Sequence, residues 1–257
     1  MNTPHSAEQL RPAANPRPGQ RYQARLAETP PELALAQALR FQVFNIELDE
    51  GLVDAYDNGL DADPFDAVCA HLLVEDELGM VVGTYRMQTG VQARAALGYY
   101  SEREFDFSPL ERHRAQILEL GRACIHHQHR TFAVLNLLWK GIGTHAQAHG
   151  ARYLVGCSSL TSRDEAVGAA AFAQLNRHLA PAAWLTRPQP DHACELTRQV
   201  EQPVHIPRLL SAYLTLGAAI CGPPAIDREF GTIDFLTWID VESPLVVAMQ
   251  SRGRFVV

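Results

Sequence analysis

The sequence predicts an α/β chain of the α+β kind, with a mixed central sheet, flanking helices and a C-terminal extension. Three observations lead there. Ile117 to Leu160 reads as strand, long helix, strand, a unit that joins two parallel neighbours by a crossover. His71–Glu75 and Met80–Met87 read as a β-hairpin turning at Asp76-Glu77-Leu78-Gly79. Neither G-x-G-x-x-G nor a Walker A sequence occurs, so a doubly wound nucleotide fold has no local support.

The elements follow in order. Tyr22–Leu26 reads as a first strand. Pro30-Pro31 opens a helix over roughly Glu32 to Leu48, with Leu35, Leu39 and Val43 on one face and Ala36, Arg40 and Phe44 on the adjacent stripe. Asp49 to Asp66 is acidic and aperiodic, without the EF-hand spacing, and suits a substrate loop. After the hairpin, Gly90 to Phe107 reads as a loop with a short helix near Gln92–Leu97 and four rings, Tyr99, Tyr100, Phe105 and Phe107, which could line a channel or cover a sheet edge. The central unit comprises strand 117–126, helix Phe132–His149 closed by Gly150, and strand 152–158. Ser162-Arg163-Asp164-Glu165 has capping-box spacing and starts a helix to about Leu179, which Pro181 ends. Residues 181–207 read as a connecting excursion and Arg208–Ile220 as a helix. Thr232–Ile239 and Leu245–Met249 read as closing strands, or a strand and a cap.

The whole chain sets outer bounds. Its 257 residues can bury a substantial core, and 47% apolar with 20% charged residues is ordinary for a soluble domain. A net charge of -7 argues against nucleic acid as the main partner. The cations are 21 Arg and one Lys. Cys69, Cys124, Cys157, Cys194 and Cys221 lack metal spacing and read as reduced thiols in a cytoplasmic protein. Residues 1–20 read as a flexible tail without a signal-peptide core, leaving 21–257 as one domain. The longest apolar run, Leu209–Ile226, is interrupted by glycine and proline and cannot span a membrane.

Charged residues inside apolar runs mark the candidate site. Glu119 and Arg122 sit within a strand three residues apart, so they share a face only if Gly121 introduces a bulge. A carboxylate beside an Arg stays ionised and can accept a proton or orient an amine, although an ordinary structural ion pair has the same pattern. Asp63 and Asp66, taken alone, read as turn and cap residues in preference to ligands. Arg40 taken alone is a surface residue beside core Phe44. His126, His127 and His129 read as exposed strand-end residues rather than a metal site. No G-x-S-x-G elbow supports a serine hydrolase.

The ordered set Arg40, Phe44, Asp63-x-x-Asp66, Arg86, Glu119-x-x-Arg122 resembles that of acyl-homoserine-lactone synthases. More closely, A-L-R-F-Q-V-F, V-V-G-T-Y-R, L-E-L-G-R-A-C-I-H and R-Y-L-V-G-C-S-S-L resemble ornithine lipid-forming N-acyltransferases, over roughly residues 22 to 240. Both groups belong by fold to the GNAT superfamily, and residues 181–257 then read as a family-specific C-terminal extension. The resemblance implies transfer of a (3-hydroxy)fatty acyl group from acyl carrier protein to the α-amine of an amino acid, most closely ornithine. It implies no bound cofactor; the donor's phosphopantetheine arm would lie between strands 117–126 and 152–158.

The same resemblance implies Glu119 and Arg122 in catalysis, and Arg40, Phe44, Asp63, Asp66 and Arg86 around the acceptor. Ala123, Cys124, Ile125, Arg130, Cys157 and Ser158 would line the acyl and pantetheine path. The pyrophosphate loop usual in this fold is replaced by Arg130-Thr131-Phe132-Ala133-Val134-Leu135, whose missing glycines suit a carrier protein better than coenzyme A. Arg103, Arg112 and Arg114 could dock that acidic carrier, or be ordinary solvated charges. Ile46-Glu47-Leu48-Asp49 stands where the lactone synthases place a Trp, which favours a lipid amide synthase over a signal synthase. An N-acyl amino acid or acyl-homoserine-lactone-type signal synthase is the alternative; a non-catalytic lipid or carrier-protein binding module is another. A lipid product leaves peripheral contact with the inner face of the inner membrane open.

Overall fold

Two strands at the middle of the sheet, β4 (Ile117–Ile125) and β5 (Tyr153–Leu160), run parallel in the computed structural model, which describes residues 21–197 and 203–251. They pair only at Ile117–Tyr153, Leu118–Leu154 and Glu119–Val155. Beyond that point each follows its outer neighbour. Ile125 and Cys124 stay opposite Gly83 and Thr84 of β3 (Val81–Thr89), while Ser158 to Leu160 stay opposite Phe235 to Ile233 of β8 (Thr232–Asp240). The central pair therefore opens into a V.

The remaining strands are β1 (Tyr22–Leu26), β2 (Ala70–Asp76), β6 (Ala219–Ile220) and β7 (Ala225–Asp227). Sheet order is β1-β2-β3-β4-β5-β8-β6 with β7 also on β8, and only the β4–β5 pair is parallel. Alternation along each strand gives the sheet two distinct faces. One carries Leu72, Val74, Leu118 and Leu154 beneath α3 (Phe132–Ala148), whose Val134, Leu138 and Ile142 are fully buried. Gly150, at φ 64°, takes the left-handed turn after α3 that a side chain would resist. On the other face α1 (Pro30–Phe41) packs Ala36 and Leu39 on Leu73 and Cys124. The segment after α2 (Gly90–Ala95) lays Tyr99, Phe105 and Phe107 over Ile117, Val155 and Leu236 on that face too, so three of its four rings cover the sheet.

Several boundaries differ from the sequence expectation. The first helix is α-helical only to Phe41, then widens to a π-helical turn over Gln42–Glu47, and Leu35 is exposed while Arg40 is buried. The apolar spacing continues through this turn, so periodicity alone hides the change. The next long helix, α4 (Glu165–Leu175), is capped by Asp164, whose side chain accepts from Ala166 N at 3.0 Å; Ser162 instead accepts from Asp164 N. Helix α5 (Arg208–Thr215) ends before β6, and residues 244–251 form helix α6 (Pro244–Ser251) rather than a strand. His129 is buried against Tyr22, whose hydroxyl lies 3.0 Å from its Nδ1, and only His127 of the three is exposed. Residues 1–20, expected as a tail, lie outside the described residues.

Candidate active site

A cleft passes through the sheet where β4 and β5 part. Leu120, Gly121, Arg122 and Ala123 form one wall and Gly156, Cys157, Ser158 and Ser159 the other. On the α3 face it is lined by Tyr85, Trp139, Leu154, Leu210, Tyr213 and Ile239. Toward the opposite face it meets Arg86, Tyr100, Ser101, Glu119, Asp227 and Asp234. One end is thus apolar and the other charged. Gly156 permits the apex: a Cβ there would lie 2.1 Å from the carbonyl oxygen of Leu120. A Cβ on Gly121 would meet nothing within 4 Å.

The Glu119–Arg122 spacing is resolved by a bulge. Gly121 pairs with Arg86 and Cys124 with Thr84, so Arg122 and Ala123 together oppose Tyr85. The left-handed residue is Arg122, at φ 48°, and Gly121 is not left-handed. The extra residue brings Glu119 and Arg122 to the same side. Both reach Tyr100: its backbone N–H donates to Glu119 at 2.8 Å, and the Arg122 guanidinium stacks 4.7 Å from its ring centre.

Three arginines and three aspartates then form a closed buried network. Arg40 donates to Asp61 Oδ1 at 2.7 Å and to both Asp66 oxygens at 2.9 and 2.6 Å, and also reaches the Asp61 carbonyl. Arg86 donates to Asp63 at 2.6 Å and to Asp66 at 3.0 Å. Arg122 closes the ring with Asp63 at 3.0 Å and Asp61 at 3.3 Å. Burial alone would raise the Asp63 and Asp66 carboxyls, but the arginine charges and hydrogen bonds hold both below the ordinary range. Losing one partner of such a buried pair costs about 3–5 kcal/mol, so this network orders the 49–68 loop over the sheet. Asp63 also caps the turn Pro64–Val68, accepting from Phe65 N at 2.8 Å, so the turn role and the ion-pair role coincide.

Glu119 is bound differently. It accepts from Tyr100 N and Ser101 N at 2.8 Å each and takes no arginine directly. Burial raises its carboxyl, although the two amides and nearby Arg86 oppose the shift. The Ser101 hydroxyl also bonds this carboxylate, and the acceptor capacity that remains is open to an amine or a water. The Cys157 thiol is pushed well up by burial and by Glu104, so it stays protonated.

Of the residues singled out in the sequence, Glu119, Arg122, Phe44, Arg86, Ala123, Cys157 and Ser158 line the cleft. Arg40, Asp63 and Asp66 lie behind it in the ion network, with Arg40 only 1% exposed rather than on the surface. Cys124 faces α1 in the core. Arg130 lies outside the cleft lining, paired with Glu47 at 2.5 Å and donating to the Ile125 carbonyl at 3.1 Å, and Ile125 packs against the α3-face core. Sequence reading missed Asp61, the third acid of the network. Tyr100, one of the four rings expected to line a channel or cover a sheet edge, does line the cleft. The sequence reading also missed Ser101, Glu104, Asp227 and Asp234, which are scattered over three segments and share no local spacing.

A mixed sheet whose central parallel pair splays around a cleft, with a carboxylate at the apex, defines an acyltransferase of the GNAT fold. Residues 39–140 match the acetyltransferase (GNAT) domain family. The AHL synthase LasI superposes with a TM-score of 0.53 at 14% identity, covering 91% of this chain and 96% of that one. FeeM, an N-acyl amino acid synthase from uncultured soil microbes, gives a TM-score of 0.54 at 11% identity, covering 87% and 92%. The L-ornithine N(alpha)-acyltransferase of Brucella abortus is 32% identical over 238 residues, 86% of this chain and 84% of that protein. The protein of that name from Rhodobacter capsulatus is 31% identical over 247 residues, 91% and 93%. The chain belongs to the L-ornithine N(alpha)-acyltransferase family.

Proposed function

We propose that this protein moves a fatty acyl group, 3-hydroxylated in the simplest reading, from acyl carrier protein to the α-amine of ornithine. The observation that carries the reading is the cleft itself: apolar on the α3 face and charged on the other, with Glu119 on the charged side at the last β4–β5 pair before the strands part. The acyl chain lies on the apolar side, the thioester at the V and the amino acid on the charged side. Glu119, directly or through a water it holds, takes the proton of the attacking amine. The freed nitrogen attacks the thioester carbonyl, and collapse expels the pantetheine thiolate, which leaves protonated. The peptide groups of the Arg122–Ala123 bulge, outside the β3 ladder, are the candidate donors to the developing oxyanion. Protonated Cys157 supports direct aminolysis over an acyl-cysteine route.

A carrier protein is the preferred donor because the segment opening α3 is already committed. Arg130 is tied to Glu47, Val134 is fully buried, and the Val134 N–H bonds the Thr131 hydroxyl. Little is left there to cradle a pyrophosphate. Arg112 is exposed and Arg103 is exposed though paired with Glu229 at 3.2 Å, and these two are the candidate docking cations; Arg114 is held by both Glu102 and Glu111. The test incubates the purified protein with 3-hydroxyacyl carrier protein or the matching acyl coenzyme A and a panel of amino acids, then weighs products by mass spectrometry. Ornithine amide from the carrier donor is expected. A different amide, or turnover only from coenzyme A, overturns acceptor or donor respectively.

A further inference from the structure

The buried acids in and behind the cleft fall into two sets. Asp61, Asp63 and Asp66 are matched one for one by Arg40, Arg86 and Arg122. Glu104 and Asp234 have no such partner, although they are only 1% and 4% exposed. Their acceptor atoms and the Cys157 sulfur lie within 4.8 Å of one another. Glu104 Oε1 and Asp234 Oδ1 are buried without a hydrogen bond. Asp234 and neighbouring Asp227 line the cleft, and Asp227 accepts from the Tyr100 hydroxyl at 3.4 Å. The two carboxyls share a hydrogen bond and Asp234 also takes the hydroxyls of Ser159 and Thr232, so one oxygen of each acid is left over. Among the described residues no cation stands beside them to match the three arginines of the other set, and a cationic ligand would satisfy both leftover oxygens.

Resting on the reading of an amino-acid acceptor given above, we propose that Glu104 and Asp234, flanked by Asp227, form a subsite for the terminal ammonium of the acceptor's side chain. The protein would thereby select a diamino acid over a neutral one. Placement supports this. Ser101 donates its N–H to Glu119 at 2.8 Å, its hydroxyl lies 3.4 Å from the Cys157 sulfur, and that sulfur lies 3.8 Å from Glu104. Two small side chains thus separate the Glu119 carboxylate from the two acids that lack an arginine partner. Ornithine's two nitrogens, joined by five bonds, stand about 6 Å apart when extended. One nitrogen can sit at Glu119 while the other reaches the acids. Norvaline has the same carbon chain and lacks only the second nitrogen.

The experiment compares ornithine with norvaline on the full-length protein, in turnover and in calorimetric binding. Wild type should prefer ornithine by about a hundredfold or more, because a site built for a charged group leaves its own polar atoms unpaired when the group is missing. Glu104→Gln and Asp234→Asn should each collapse that ratio at least about tenfold, roughly the loss of one charge-assisted bond. Asp227→Asn serves as the third variant if either fails to fold by circular dichroism. Equal binding of the two ligands by wild type, or variants that leave the ratio intact, would overturn the subsite. Absence of ornithine turnover with selective, Asp234-dependent ornithine binding would sink the catalytic reading and leave the subsite standing. Stoichiometric Zn²⁺ or Mg²⁺ binding that Asp234→Asn abolishes, with ornithine binding unchanged, would reassign these residues to a metal and overturn the proposal.

Discussion

Glu119 and Glu104 are both buried glutamates with raised carboxyls, yet their surroundings give them different work. Glu119 must be ionised to accept a proton, so activity should fall as pH drops through its raised value. The acid limb of kcat/KM is expected above the roughly 4.3 of an ordinary glutamate. Glu119→Gln should lose about a hundredfold or more in kcat and lose that limb. A variant of normal melting temperature that keeps near-normal turnover would remove Glu119 as the base. Glu104 faces Asp234, Asp227 and Cys157, with Arg122 opposing them only at a distance. Its folded value lies above its unfolded one, so its stabilising contribution is complete below pH ~4.3 and is lost as pH rises through the folded value. Glu104→Gln should therefore raise the melting temperature at pH 8, by about 2–4 °C for each kcal/mol recovered, and change it less at pH 4. A lower melting temperature at pH 8 would mean that the charge is neutralised in some other way.

At the scale of elements, the site depends on two strands that start together and are then pulled apart by β3 and β8. Gly156, just past the last paired residues, lets β5 approach the Leu120 carbonyl of β4. Because the clash at 2.1 Å is with the Leu120 backbone, it cannot be relieved by rotating a side chain. Gly156→Ala should displace β4 from β5, lower the melting temperature and reduce turnover severalfold or more. Normal values for both in calorimetry and assay would show that the apex tolerates a wider gap. The strands and α3 were legible because apolar runs, two-residue alternation and a helical stripe each leave a local pattern. The π-helical turn was not, since Val43 and Phe44 keep the helical spacing through it. Nor was α6, whose Val246-Val247 reads as strand until tertiary context overrides propensity. Glu119 and Arg122 were visible as charges in an apolar strand, and the need for a bulge followed from strand geometry. The residue that forms it did not, because glycine is the default for positive φ and arginine occupies it here. Glu104 and Asp234 could not be paired from sequence at all, since 129 intervening residues separate them and only the folded sheet brings them together.

At the scale of the whole molecule, the cleft has an apolar end on one face of the sheet and a charged end on the other. The proposed reaction assigns these ends to its two reactants, and the C-terminal third completes that division. Strand β8 pairs with β5 along Tyr153–Leu160, and α5 supplies Leu209, Leu210 and Tyr213 to the apolar end of the cleft. The tyrosine hydroxyl meets that of Tyr85 from β3, joining the late segment to the early one. Among the described residues no helix is long and apolar enough to cross a membrane. In the proposed reaction the acyl chain lies against the apolar end of this cleft, where α5 stands. Chain-length preference should then be set by α5 and left untouched by the charged face. Leu209 is 39% exposed at the cleft, which gives a larger ring room to turn inward without repacking the core. Leu209→Trp should shorten the channel, and excluding four methylenes at about 0.8 kcal/mol each corresponds to roughly a hundredfold shift in kcat/KM from long toward short acyl donors. The KM for the amino-acid acceptor should change less than about twofold, because its site lies across the sheet. A series of acyl carrier protein thioesters of graded length measures both. An unchanged length preference would place the acyl chain elsewhere, and a parallel loss in acceptor KM would mean that the two faces are not independent compartments.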